Sequence, residues 1–489
     1  MSTNNEIGGA IRKYSIKNAF EYGKAHEGSV LNKIISLYPE HKAEIKYLAR
    51  EVGRIIAEVN QLDRAALEAE YSKYSADFET EQVAKAERSA RHNFSIEGAK
   101  EGEFMTRFPP EPGGYMHIGH AKPVFIEDEL RKAYSGKYAL YFDDTNPDNE
   151  KQEFVEAFKE DLDWLGIRFD IEYYASDNID TLYGYATGMI NSGNAYVCTC
   201  SAEKLKEARA SGTACEHKGR DKAENLELWH RMLADAFKDN EAILRLNSDM
   251  KSKNTTLRDP TLFRIKHGSH YRQGNKYCVW PTYDFCTPII DSIKGITDVV
   301  RSKEYEMRDE LYFMVLDMLG LRKPRINSFS RLEIASNVTS KRKIRELISK
   351  GLIDGYDDPR LVTIKALRRR GIAAAAIREF ALSFGMGKSE SVAEIDTLLK
   401  MNRKIIGSKA KRLIFSEDPN AQGNPDPKAC ELWDIGPLLI GDAFNDSSVT
   451  KRYGYADGFA ALKDGDVVQF EKRGFYKLDS KKERRFLSL

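Results

Sequence analysis

Residues Arg107–Lys122 read RFPPEPGGYMHIGHAK, and the reading of this stretch decides the fold. Just before the prolines, Phe104–Phe108 is suited to a strand. Pro109, Pro110 and Pro112 cannot join a central ladder, and Gly113-Gly114 permits a tight backbone before an apolar helical run begins. His117 and His120, three residues apart, share one face at that helix start, where free N–H groups and the macrodipole favour phosphate. Two imidazoles there can donate to phosphate oxygens, while Gly119 admits a nucleotide close to the backbone. With 9 His and 34 Gly in 489 residues, a His-x-Gly-His pattern arises by chance in only about 0.01 chains of this length.

Downstream, Ile118–Tyr134 continues as a helix, with Pro123 expected in its first turn; Gly136 stops it, and Tyr138–Phe142 reads as a second strand. Such a βαβ unit predicts parallel strands, a right-handed crossover and a ligand outside the carboxyl ends. Asp143 then emerges on the same edge as the histidines, although Asp143-Asp144-Thr145-Asn146-Pro147 also fits a plain cap and turn.

The length predicts about three to four domains with ample core. Hydrophobic content of 41% and charged content of 31%, without an apolar run long enough for a membrane span or signal peptide, point to a cytoplasmic globular protein. With 76 basic and 75 acidic side chains, any nucleic-acid surface must be local. Lys365–Arg370 (KALRRR) and Lys481–Arg485 (KKERR) are candidates, and each fits a solvated face equally well.

Residues 1–97 read as helical: Ile45, Leu48, Val52, Ile55, Ile56 and Val59 recur at helical spacing. Cys198-Thr199-Cys200 and Cys215-Glu216-His217 bring four soft ligands into about twenty residues, a set that suits tetrahedral zinc in a structural role, unligated thiols being the alternative. Tyr277–Pro281 and Ile296–Arg301 read as further strands of the first sheet. The run Asn337–Lys343 (NVTSKRK) forms a basic loop in which Lys341 can follow charge moving onto a phosphate. Residues 344–404 are helix-rich, whereas Val467–Phe470 and Gly474–Leu478, among Gly, Asp and Pro, indicate a β-barrel-like tail.

The HIGH tetrad His117–His120 resembles the first signature of class I aminoacyl-tRNA synthetases, and its flanks resemble the glutamyl/glutaminyl branch. Val338–Arg342 (VTSKR) is similar to a degenerate second signature, KMSKS, of which it keeps the serine and the second lysine. The Cys/His set and the β-rich tail resemble archaeal-type glutamyl-tRNA synthetases. The resemblance implies an α/β chain with a class I Rossmann-like nucleotide-binding catalytic core at 98–330. That core would carry a zinc-bearing acceptor-stem insertion at about 198–275. A helical N-terminal extension at 1–97, the signature loop and helical stem-contact domain at 331–404, and a β-barrel anticodon-binding domain at 405–489 would complete it. The tail is shortened, since such relatives usually carry two barrels.

The same resemblance assigns residues. His117, His120 and Lys341 would be catalytic, with Pro110, Gly119, Arg331, Ser340 and Lys341 at ATP. Arg107, Asp143, Tyr283 and Arg301 would meet glutamate, and Cys198, Cys200, Cys215 and His217 would hold Zn²⁺, with Mg²⁺ accompanying ATP. The implied partners are L-glutamate and tRNA-Glu, with tRNA-Gln a second candidate acceptor, for a monomer. Arg301 and Ile326 align where glutaminyl enzymes tend to carry Cys and Gln, which points to glutamate: a guanidinium pairs with a carboxylate and faces an amide donor to donor. A glutaminyl ligase, a glutamyl-transfer paralogue acting on a tRNA base and a non-catalytic tRNA-binding protein are the alternatives.

Overall fold

In the computed structural model, Met105–Phe108 (β1) pairs in parallel with Lys137–Phe142 (β2), Arg107 opposite Ala139, and β2 pairs in parallel with Ile171–Tyr174 (β3). The structure describes residues 2–38, 41, 44–75, 77–78, 94–418 and 429–489. Contacts divide the chain into two units, Met1–His92 and Asn93–Leu489. The first unit therefore closes before residue 97, because Phe94 and Ile96 are buried with Phe104 and Ile126 of the second.

The first unit contains helices Ser2–Tyr22, Glu27–Leu37, Ile45–Val59 and Arg64–Ser72. Leu48, Val52, Ile55, Ile56 and Val59 fall on the buried face of the third, as their spacing predicts. Ile45, its first residue, is instead exposed.

In the second unit the helix Ile118–Ala133 crosses between β1 and β2. Pro123 lies at its sixth position, beyond the first turn, and so leaves the Gly119 carbonyl without its usual helical donor. After the helix, Ser135 takes the left-handed conformation at φ 48°, while Gly136 serves close approach: a Cβ there would lie 2.4 Å from the Phe104 carbonyl oxygen.

The chain next builds a separate antiparallel sheet, in the order Ala195–Cys198 (β4), Ile243–Leu246 (β5), Thr261–Ile265 (β6) and Val279–Pro281 (β7). The Tyr277–Pro281 run thus closes this sheet rather than returning to the first. Asp298–Ser302 (β8), parallel to Arg325–Phe329 (β9), makes the return. Thr297 N donates to the Met105 carbonyl at 2.9 Å, and Met105 N to Thr297 Oγ1 at 2.8 Å, so β8 lies beside β1. Between β1 and β8 the connections leave in opposite directions, which opens a crevice at the carboxyl ends.

Leu332–Ile334 (β10) pairs with Ser391–Ala393 (β11), and the helices around them join the core of the first sheet through Ile364, Leu367, Ile377 and Phe380. Ile118 N bonds the Val362 carbonyl and Ile364 N the Met116 carbonyl, both at 2.9 Å, so the histidine turn is laddered to a segment some 245 residues later.

Beyond helix Ile395–Ile406 come Lys411–Leu413 (β12), Phe415–Ser416 (β13), Cys430–Ile435 (β14), the hairpin Leu439–Ile440 (β15) and Ala443–Phe444 (β16), Val449–Ala456 (β17), Val467–Phe470 (β18), Gly474–Ser480 (β19) and Arg485–Ser488 (β20). Seven of them form one sheet in the order β12-β18-β19-β20-β14-β17-β13. Its two edge strands are separated in the chain by Ile414 alone, so the sheet curls into a nearly closed barrel around Leu432, Val468, Leu478 and Phe486.

The two basic runs are largely used internally. Arg368 meets Glu160, Arg369 chelates Asp479, and Arg370 bonds the Ser488 carbonyl; Lys481 Nζ bonds two carbonyls and Arg485 reaches Asp479.

Candidate active site

The crevice at the ends of β1 and β8 is a cavity of about 1000 Å³. Every nucleotide-side candidate lines it: Pro110, His117, Gly119, His120, Arg331, Ser340 and Lys341. So does every amino-acid-side candidate: Arg107, Asp143, Tyr283 and Arg301.

The histidines cap their own helix. His117 Nδ1 accepts from Gly119 N at 3.1 Å, and His120 Nδ1 accepts from His117 N at 3.2 Å. Ile118 N and His120 N are bonded to carbonyls. The first N–H groups are therefore spent within the protein, contrary to the expectation that they face phosphate. What faces the cavity is a pair of imidazoles whose Nδ1 atoms accept, which assigns the proton of each neutral ring to Nε2. Burial pushes His117 down to about 4 and His120 well below the usual imidazole range, with Lys341 and Arg331 adding to both. Gly119 also serves the cap: a Cβ there would lie 2.9 Å from the His117 ring.

Lys341 begins the helix Lys341–Ser349, and its N-cap Ser340 makes no capping bond with its side chain. The lysine stem crosses the Pro/Gly turn so closely that a Cβ on Gly114 would lie 3.1 Å from it, and its Nζ stands 3.4 Å from Glu111 Oε2. Arg345 bonds the Gly113 carbonyl at 3.0 Å. The glycine pair thus lets the basic loop close over the Pro/Gly turn. Arg331 is largely exposed beside Glu304.

On the other wall, Arg107 is fully buried and gives Nε and Nη2 to Asp291 at 2.8 and 3.0 Å, with Tyr312 donating to the same carboxylate. Only Nη1 is without a protein partner. Arg301, also buried, pairs through Nη2 with Asp309 and donates from Nη1 to the Tyr283 hydroxyl at 3.3 Å, leaving Nε unpartnered. Asp143 N is held by the Pro110 carbonyl at 3.1 Å. Burial, then nearby Glu111, lift the Asp143 carboxyl to about 6, against the pull of Arg264.

Sequence reasoning missed several lining groups. Glu127 is buried two turns along the same helix face from His120, accepts from the Tyr138 hydroxyl at 2.8 Å, and is pushed well above the carboxylate range by burial. Arg264, on β6, and Glu150 also line the cavity, and Arg308 pairs with Asp284 at its rim. Nothing in the local pattern marks Arg264, because the contact that ties it to Thr145 joins residues 119 apart.

Cys198, Cys200, Cys215 and His217 gather at the end of β4, outside this cavity. Cys198 Sγ stands 3.7 Å from Cys215 Sγ and 3.5 Å from His217 Nδ1, and Cys200 Sγ lies 3.4 Å from the same nitrogen. These are close to the edges of a tetrahedron with metal–sulfur and metal–nitrogen bonds of about 2.3 and 2.0–2.1 Å. His217 Nε2 is oriented by Thr199 Oγ1 at 3.2 Å, the outer hydrogen bond that a ligating imidazole uses. The four residues fit a four-coordinate metal.

Residues 103–407 match the family model described as tRNA synthetases class I (E and Q), catalytic domain. The chain belongs to this family of class I synthetases. It is 43% identical to the glutamate–tRNA ligase of Nitrosopumilus maritimus over 84% of this chain and 72% of that one. The glutamate–tRNA ligase of Archaeoglobus fulgidus is 35% identical over 97% of this chain and 86% of its own. Among solved structures, a glutamate tRNA ligase from Elizabethkingia meningosepticum is similar with a TM-score of 0.44 and 16% identity, over 63% of this chain and 70% of that one. Among the described residues, no helix is long and apolar enough to cross a membrane.

Proposed function

We propose that this chain is a cytoplasmic, monomeric glutamate–tRNA ligase. A carboxylate oxygen of L-glutamate attacks the α-phosphorus of ATP, the bond to the β-phosphate oxygen breaks, and glutamyl-adenylate and pyrophosphate form. The terminal ribose hydroxyl of tRNA-Glu then attacks the activated carbonyl, losing its proton as AMP departs. tRNA-Gln is a second candidate acceptor.

The observation that carries this reading is the meeting of Lys341 with the histidine turn across one cavity whose far wall holds Arg107, Asp143, Tyr283 and Arg301. Catalysis is positioning and charge stabilisation without a covalent enzyme intermediate. The Nε2–H groups of His117 and His120 donate to phosphate oxygens, and Lys341 follows the charge onto the departing pyrophosphate. Asp143 takes the α-amino group. Arg301 takes a carboxylate, and Arg107 also meets the amino acid. Mg²⁺ bound with ATP supplies further neutralisation of the phosphates.

A zinc ion at Cys198, Cys200, Cys215 and His217 is structural in this reading, since all four positions are filled by protein. The antiparallel sheet β4–β7 supports the acceptor end of tRNA, the helices of 344–404 its stem, and the barrel its anticodon. Pyrophosphate exchange with tRNA-Glu present tests the first step: glutamate supports exchange and glutamine does not. Exchange with neither amino acid leaves a non-catalytic tRNA-binding descendant.

A further inference from the structure

Asp143 sits on a loop, residues 143–150, that is held from the antiparallel sheet as well as from its own. Arg264 Nη2, on β6, donates to the Thr145 carbonyl at 3.2 Å, and Lys266 meets Asp148 at 2.6 Å. Tyr271 donates to Asp144 Oδ2 at 2.9 Å, and Asp144 also accepts from Ser176 N and Oγ, both at 2.8 Å. Between these contacts lies His270, fully buried in a tight hairpin closed by two backbone bonds with Gly274.

The His270 ring is oriented without ambiguity. Its Nδ1 accepts from Arg272 N at 3.2 Å and Gln273 N at 3.1 Å, so the neutral ring carries its proton on Nε2. Burial favours that neutral form, pushing the imidazole down to about 4. Nε2 lies 3.4 Å from Glu150 Oε2 and 3.8 Å from Asp144 Oδ2. The other Glu150 oxygen accepts from Asn146 N at 2.9 Å, closing the loop on itself, while Oε2 and His270 Nε2 are buried polar atoms that face each other without a formed hydrogen bond to any described residue. Glu150 lines the cavity, and Asp143 begins the same loop.

We propose that His270 is a positioning residue for the amino-acid pocket: its Nε2–H is the buried donor available to Glu150 Oε2, and by closing onto that oxygen it steadies the loop that presents Asp143. This rests on the glutamate site proposed above and deepens it, because the side chain that sets the pocket belongs to a hairpin between β6 and β7.

Three substitutions in the full-length enzyme separate this role from simple support of the hairpin. His270→Gln keeps a donor near Nε2, His270→Asn keeps an acceptor near Nδ1, and His270→Leu keeps neither. The glutamate KM is expected within about threefold of wild type for the glutamine variant and raised about tenfold or more for the other two, with the ATP KM little changed in all three. Rescue by asparagine instead of glutamine, wild-type glutamate KM throughout, or an equal rise for ATP would overturn the proposal. Should the hairpin variants not fold, Glu150→Ala reads the same loop without touching the hairpin's own bonds; a raised glutamate KM supports the role and an unchanged one overturns it. A wild-type enzyme that fails to activate glutamate would refute the parent reading instead.

Discussion

The rings of His117 and His120 lie 3.8 Å apart by their centroids, and each accepts a backbone N–H at Nδ1. One pair of bonds thereby caps the helix and fixes two donors toward the same cavity. Both rings are neutral at physiological pH, so they act as hydrogen-bond donors rather than as cations.

His120→Ala removes one such donor. Adenylate formation should fall by about 10²-fold or more, since a lost transition-state donor costs roughly 2.7–4 kcal/mol. Single-turnover kinetics measure this, with glutamate affinity nearly unchanged. Wild-type turnover would remove His120 from the mechanism.

The pH profile should report Asp143. Its carboxyl is held up at about 6, so it is ionised above that pH and neutral below it. The value of kcat/KM for glutamate should therefore decline as pH falls through about 6 and approach a tenfold loss per unit. His117 and His120 stay neutral across that window and add nothing to the limb. Asp143→Asn should lower the plateau and flatten the limb; an acid limb that survives this change belongs to another group.

Metal analysis should find about one zinc per chain, and Cys215→Ser should abolish it. The damage should stay near the sheet β4–β7, seen as faster proteolysis around residue 200. Metal-free protein with native resistance there and native tRNA affinity contradicts the structural role.

How much of this was legible in the chain follows from the range of the interactions. The strand, turn and helix around His117 are written in local residue types, as are the strands Val467–Phe470 and Gly474–Ser480, and the cysteine spacing brings its four ligands together. The pairing of Arg107 with Asp291 joins residues 184 apart, and no periodicity signals it. Tyr277–Pro281 joins the antiparallel sheet instead of the first for a similar reason: a short apolar strand carries no mark of which sheet it will join. The close packing of Gly119 against the His117 ring is not legible in the chain either, because it depends on a ring that accepts from the Gly119 N–H.

Arg301 bears on the choice of amino acid. It is held by Asp309 and Tyr283 with Nε unpartnered, on the wall opposite the histidines. Arg301→Ala should raise the KM for glutamate at least about tenfold, worth about 1.4 kcal/mol, while the KM for ATP moves much less. Unaltered glutamate kinetics would show that this guanidinium serves only its ion pair.

The most direct test charges purified tRNA-Glu and tRNA-Gln with radiolabelled glutamate and glutamine in separate reactions. The account predicts that glutamate is esterified to tRNA-Glu and that glutamine is a poor substrate on either tRNA. Glutamine charged better than glutamate, or no charging by folded enzyme that binds ATP, would contradict it.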